Sequence, residues 1–322
     1  MTQVFVELDH ERPERLAPAS GEAVLFSSKA YDKTTGNEDA ALFCELPGPV
    51  TVLAVADGVG GLPAGAEAAA TAVGAVRRAV ERAAERAAER AADRVADRTG
   101  QRGDYRGEGD TLRSAIFDAF EDANATLLAK GVGAATTLVV VEVRDGLARA
   151  YHAGDSGALL VGQRGRVRFE TIPHSPVGYG VAAGMLEPSQ THHHEERHLL
   201  SNCVGSRDMR VEIGAPVRMA ARDTLLLATD GVLENVERRV LIEQIRTGPL
   251  IQAATDLQAR VRLTMAGVDP KLPAHPDDAT ALLFRTAPDR VRGPIGIRLR
   301  AEPRERAPRE GGARDGARRG RR

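Results

Sequence analysis

Cysteine is scarce in this chain of 322 residues: only Cys44 and Cys203 occur, far apart and without C-x-x-C spacing. That excludes a disulfide scaffold and a thiolate zinc site, and neither cysteine lies in a loop of the kind that cradles a phosphate beside a nucleophilic thiol. Lysine is almost as rare, 4 residues against 40 arginines, a skew that travels with abundant alanine and glycine and is read as codon composition. Positive charge is not in excess. A formal net charge of -1 leaves no basic field to draw nucleic acid or an anionic membrane. No apolar run reaches the length of a membrane span. The first residues, MTQVFVELDHERPER, lack the basic flank and apolar core of a signal peptide. These absences predict a cytoplasmic protein with neither membrane nor nucleic acid as partner. Hydrophobic content of 42% and charge content of 28% are ordinary for a globular chain long enough to bury a sizeable core.

Residues 1–20 are expected to be a loosely tied, flexible lead-in. Strand-like runs follow: AVLFSSKAY from Ala23, AALFCEL from Ala40, and VTVLAVA ending at Asp57. After the Gly-rich DGVGGLPAG, the Ala-rich stretch of residues 66–98 predicts a long helix. Its ERAA units place Arg82 with Glu85 and Arg86 with Glu89 at i,i+3. Without an a/d seam of large residues, it reads as a solvated helix with an Ala face and not as a coiled coil. QRGDYRGEGD, residues 101–110, reads as a loop. A second helix is expected from Thr111, with Leu112, Ile116, Phe120, Ala123 and Leu127 on one face and Gly131 as its stop. TTLVVVEV-RDG-LARAYHAG and GALLVG-QRG-RVRFETI predict two hairpins. The stretch from His174 to His198 has no clear pattern. DTLLLAT, helical segments at 237–246 and 249–266, and ATALLFR complete the set. From Pro288 the chain holds twelve arginines against five acidic residues, which predicts a disordered Arg-rich tail over 288–322.

Acidic residues punctuate these runs. Glu38 and Asp39 stand in GNED, Asp57 in VLAVADGVGG, Asp155 in AGDSG, Asp230 in LLLATDGV and Asp277 in PDDAT. Most lie where an apolar run stops, so each carboxylate is presented at a strand end. Such an array is costly unless a positive charge sits within it, and hard divalent cations prefer oxygen ligands. Two ions bridged by one carboxylate lie about 3.5–4 Å apart, and water between them becomes hydroxide near neutral pH. Phosphate esters are the substrates that such a centre suits, because they hydrolyse very slowly unaided. Helices mixed with antiparallel hairpins predict an α+β fold of two packed sheets with helices outside.

In order along the chain, GNEDA, VADGVGG, GAATTLVVVEV, YHAGDSGALLV, RHLLSNCVGS, DTLLLATDGV and PDDATALLF resemble the motifs of the type 2C metal-dependent protein serine/threonine phosphatases, bacterial branch. The resemblance covers roughly residues 22–286, with a phosphatase domain at 21–287. It implies an α-β-β-α sandwich, Mn2+ or Mg2+ as cofactor (two ions and a weaker third), and hydrolysis of phosphoserine and phosphothreonine on proteins by a metal-bridging hydroxide. It implies a monomer that opposes a serine/threonine kinase. By the same likeness Asp57 bridges the metals, Asp230 and Asp277 complete the first site, and Glu38 with the Gly58 carbonyl serves the second. Asp39 holds a metal-bound water, and Asp155 with Asp230 takes the third ion. The segment from Pro173 to about Glu196 corresponds to the substrate flap.

The chain departs from the family pattern in three places. Thr34 stands where most members carry a phosphate-gripping Arg, with Lys33 beside it as a point-charge substitute. Val59 follows Asp57-Gly58 where many eukaryotic members have His. Asp278 replaces the usual Asn, an ending familiar from the branch that acts on anti-anti-sigma factors. Two rival readings come from elsewhere in the sequence. His194-Glu195-Glu196-Arg197-His198 spells the HExxH zinc-protease motif. Thr34 alone would suit a catalytically silent phosphoprotein-binding module of the same fold.

Overall fold

Leu42 and Phe43 are adjacent and fully buried, yet they belong to different cores. Side chains alternate across a strand, so an unbroken apolar run buries both faces only when each is covered. The structure is a computed structural model describing residues 1–59, 64–96, 106–268 and 274–287. Its strands are Thr2–Val6 (β1), Glu14–Leu16 (β2), Gly21–Ser28 (β3), Asp39–Leu46 (β4), Val50–Asp57 (β5), Leu138–Arg144 (β6), Leu147–Ala153 (β7), Gly157–Val161 (β8), Val167–Glu170 (β9), Glu212–Ile213 (β10), Val217–Arg218 (β11), Thr224–Ala228 (β12) and Ala279–Thr286 (β13). The α-helices are Gly65–Ala96 (α1), Arg106–Lys130 (α2), Pro176–Ala182 (α3), Asp230–Leu233 (α4), Arg238–Ile245 (α5) and Leu250–Met265 (α6).

Two antiparallel sheets result. One runs β1-β4-β5-β6-β7-β10, with β11 also on β7; the other runs β2-β3-β13-β12-β8-β9. Leu42, Val52, Ala54, Val140 and Tyr151 pack outward beneath α1 and α2. Phe43, Leu53, Val55, Val139 and Val141 face Leu25, Leu160, Leu227 and Phe284 of the second sheet. On that sheet's far side Val24, Phe26, Leu226 and Leu283 meet Leu241, Ile245, Leu257 and Val261 of α5 and α6. The architecture is an α-β-β-α sandwich. Burying each of these large apolar side chains contributes about 1.5–3 kcal/mol.

The β6–β7 hairpin turns on Asp145 and Gly146, both at positive φ (52° and 73°), the conformation that a two-residue type I′ turn requires. On α2, Leu112, Ile116, Phe120, Ala123 and Leu127 are buried as their spacing predicts.

Three expectations change. The lead-in is paired: β1 lies on β4 and β2 on β3. Backbone pairing holds β1, whose side chains alternate between exposed and half-buried, so it leaves little hydrophobic signal. The loop assigned to residues 101–110 gives way to helix from Arg106, since Gly107 and Gly109 weaken a helix without forbidding it. The unpatterned stretch contains α3 and two short 3-10 helices, Pro188–His193 and Glu195–His198. Residues 101–105 of that loop and the Arg-rich tail at 288–322 lie outside the described residues, as do 60–63 of the Gly-rich segment.

Candidate metal centre

Sheet register brings the acidic residues to one rim. β4 begins at Asp39 and β5 ends at Asp57, and the two are directly paired. On the other sheet Ala228 pairs with Gly157 on one side and Ala281 on the other. Asp230 therefore leaves β12 at the same end where Asp277 leads into β13 and Asp155 into β8. Residues from four distant parts of the sequence thus crowd one edge of the sandwich.

Their electrostatics are those of a site built for positive charge. Burial, then the nearby Asp278, Asp230 and Asp277, holds the Asp39 carboxyl well above the ordinary range. Burial, then Asp230, Asp39, Asp277 and Asp155, does the same to Asp57. Asp230 is raised by burial first and then by Asp277. Burial and Asp230 push Asp155 up to about 8. Among the described residues, Asp39 Oδ1 and Asp230 Oδ1 are buried without a hydrogen-bond partner. Orphaned carboxylate oxygens among like charges cost free energy unless a cation joins them, and an all-oxygen donor set fits a hard divalent ion.

Neutral groups fix the carboxylates in place. Thr137 Oγ1 accepts from the Asp57 N–H at 3.0 Å and meets Ser156 Oγ at 2.6 Å, while the Thr136 hydroxyl donates to the Asp57 carbonyl. Thr229 Oγ1 donates to Asp39 Oδ2 at 3.0 Å, and Asn37 Oδ1 accepts from the Asp39 N–H. Gly58 has no room for a side chain: a Cβ there would lie 2.4 Å from the Gly65 backbone, and one on Gly65 would lie 2.9 Å from Glu38 Oε1. A Cβ on Gly231 would lie 1.9 Å from the Asp278 carbonyl. These glycines let the loops close around the carboxylates.

Sequence reasoning underrated Asp278. This buried side chain accepts from Ala30 N–H at 3.0 Å, from Glu38 N–H at 2.7 Å and from Lys33 Nζ at 2.6 Å. Lys33 also reaches Glu38 Oε2 at 2.7 Å, so its ammonium stands among carboxylates. Thr34 is exposed. Thr229 and Thr137 were overlooked as well; each directly borders a motif aspartate or the strand beside one, which is the signal that could have found them. His275 joins the rim, its Nε2 3.6 Å from Asp277 and 3.7 Å from Glu234. The nearby Asp277 carboxylate raises the His275 pKa against burial.

A family model described as Protein phosphatase 2C matches residues 28–261. The chain belongs to the protein phosphatase 2C family. It is 26% identical over 138 residues to protein phosphatase PhpP of Streptococcus pneumoniae, 42% of this chain and 55% of that protein. The match thus spans about half the length of the curated relative. Among solved structures it is similar to the serine/threonine phosphatase Stp1 from Staphylococcus aureus, at 20% identity and a TM-score of 0.63, covering 86% of this chain and 98% of that one. It is also similar to the catalytic domain of the serine threonine protein phosphatase PstP in complex with 2 manganese ions, at 19% identity and a TM-score of 0.58, covering 82% and 97%. These likenesses show the fold.

The zinc-protease motif does not form in this 2C family member. A four-residue 3-10 turn, Glu195–His198, replaces the α-helix that HExxH requires, and His194 caps it by accepting from the Glu196 N–H at 3.1 Å. His198 instead stacks on His275, ring centroids 5.4 Å apart. No described helix is long and apolar enough to cross a membrane.

Proposed function

We propose that this chain is a metal-dependent phosphoprotein phosphatase that removes phosphate from phosphoserine and phosphothreonine. The observation that carries this reading is the convergence of Asp39, Asp57, Asp230 and Asp277 on one rim, with buried carboxylate oxygens left unpaired. Asp57, Asp230 and Asp277 are the groups that would hold one ion, and Asp57, Glu38 and the Gly58 carbonyl those that would hold a second. Asp155 with Asp230 would take a weaker third. When bound, such ions lower the pKa of water and offset charge on the phosphoryl oxygens.

The chain's own residues do the positioning. Asp39, anchored through Oδ2 by Thr229, keeps Oδ1 for orienting water. Lys33 and Thr34 are the candidate phosphate contacts. Lys33 is already paired with two carboxylates, so it offers an N–H and little net charge. The segment from Pro173 to about Glu196 is the candidate substrate flap. Mn2+ or Mg2+ as the working ion, an opposing serine/threonine kinase, a monomeric state and a cytoplasmic location belong to the same reading.

The test is phosphate release from phosphoserine, phosphothreonine and phosphotyrosine peptides with Mn2+ or Mg2+ supplied. Release from the first two, absent without metal, is expected. Release from none of them, in folded protein with metal, would overturn the reading.

A further inference from the structure

We propose a transition-metal site formed by His198, Glu234 and His275, at the edge of the carboxylate rim, where His275 also lies within ligand reach of Asp230 and Asp277. Donor atoms of these three side chains lie within 4.8 Å of one another. They come from three places in the fold: the turn Glu195–His198, the end of α4, and the segment before β13. Glu234 Oε2 and His275 Nε2 are buried without a hydrogen-bond partner among the described residues. Such atoms call for an occupant. Two imidazoles and a carboxylate suit zinc-like ions, whereas the neighbouring all-oxygen set suits Mg2+ or Mn2+. Three protein ligands with an open fourth position are a common zinc arrangement.

The segment that carries His198 is already fastened across Glu234. His192 Nδ1 hydrogen-bonds the Glu234 carbonyl at 2.9 Å, and the His198 ring stacks on His275. Metal binding needs His198 and Glu234 to draw in toward His275 from within that 4.8 Å span, and the His198 ring, 17° from parallel with that of His275, to turn its nitrogen toward the shared point. Arg197 is the opposing charge. It donates to His198 Nε2 at 3.3 Å and to the His192 carbonyl, and must turn aside or leave His198 to ligate through its other nitrogen. A second histidine group, His152, His174 and Glu212, lacks this character because three of its four ring nitrogens have partners. His152 Nε2 meets the Ile172 carbonyl, and His174 Nδ1 accepts from Gly154 N–H while Nε2 faces Glu212.

An ion held by His198, Glu234 and His275 would tie the end of the 188–198 segment to the turn after β12, beside Asp230 and Asp277. The site would therefore take Zn2+ or Co2+ and restrict movement of that segment. It does not depend on hydrolytic activity, so its failure and that of the phosphatase reading can be told apart.

The test titrates Co2+ and Zn2+ into the full chain with saturating Mg2+ present, following Co2+ absorption bands and Zn2+ binding heat. His198→Ala and His275→Gln should each weaken binding at least about tenfold, with loss of the imidazole–cobalt spectrum. His194→Ala, outside the cluster, should bind as the unmodified chain does. Because His198 is exposed, His198→Ala keeps the test open if His275→Gln fails to fold. Equal Zn2+ affinity and an unchanged Co2+ spectrum in His198→Ala would overturn the proposal.

Discussion

Lys33 Nζ lies 2.6 Å from Asp278 Oδ2, across 245 residues of sequence. The pair joins two departures from the family pattern into one arrangement. Asp278 stands where Asn is usual, and its negative charge anchors the lysine beside the position of the missing Arg. An Asn there would leave Lys33 facing one carboxylate, that of Glu38, in place of two. The Asp278 side chain is 1% exposed and that of Lys33 21%, so the attraction is only weakly screened.

A double-mutant cycle measures this pair. Lys33→Met and Asp278→Asn should each lower the stability of metal-free protein by about 1–3 kcal/mol, because each removes one half of a largely buried pair. The double variant should lose less than the sum, with a coupling of about 1 kcal/mol or more in urea denaturation. Additive losses would show that the two side chains do not support one another.

Thr34→Arg should supply the bidentate fork that Lys33 cannot. The expected result is a several-fold fall in KM for p-nitrophenyl phosphate with a smaller change in kcat. An unchanged KM would place residue 34 away from the phosphate.

Stability of chelated protein should depend on pH in a defined direction. Asp155 and Glu234 are held at about 8 and about 7, both by burial first and Asp230 second. Their unfolded values are near the ordinary range of about 4. Between those values the unfolded chain releases protons that the folded chain keeps, so stability falls as pH rises from about 4 toward 8. Thermal denaturation after chelation should show Tm dropping by several degrees between about pH 5 and 8, at about 2–4 °C per kcal/mol. Saturating Mn2+ should flatten the trend, since a bound cation favours the ionised carboxylates. A Tm that is level or rises with pH in chelated protein would contradict this electrostatic account.

The parts of the site that the sequence exposed are those marked by a change of pattern. Asp57 ends a run buried on both faces, and Asp230 does nearly the same, so burial and termination are both written locally. The rim itself follows from strand order, which local pattern does not encode; Asp277 precedes its strand and reaches the rim only because β13 runs antiparallel to β12. Lys33–Asp278 was illegible because a long-range ion pair leaves no periodicity. β1 was missed for the opposite reason: its pairing is carried by backbone groups that every sequence has. The HExxH string shows the reverse hazard. Its spacing is right for a helix, but the Pro- and His-rich surroundings fold into 3-10 turns, and only His198 reaches a neighbouring ligand group.

In the proposed function, the Asp57-centred carboxylates hold divalent ions for phosphate ester hydrolysis. The most direct measurement is p-nitrophenyl phosphate hydrolysis by chelated protein, with Mn2+, Mg2+ or Zn2+ returned separately, beside Asp57→Asn. Activity should return with Mn2+ or Mg2+ and fall at least about a hundredfold in Asp57→Asn, with circular dichroism unchanged. Full activity in Asp57→Asn, or none with any metal in folded wild-type protein, would contradict the account.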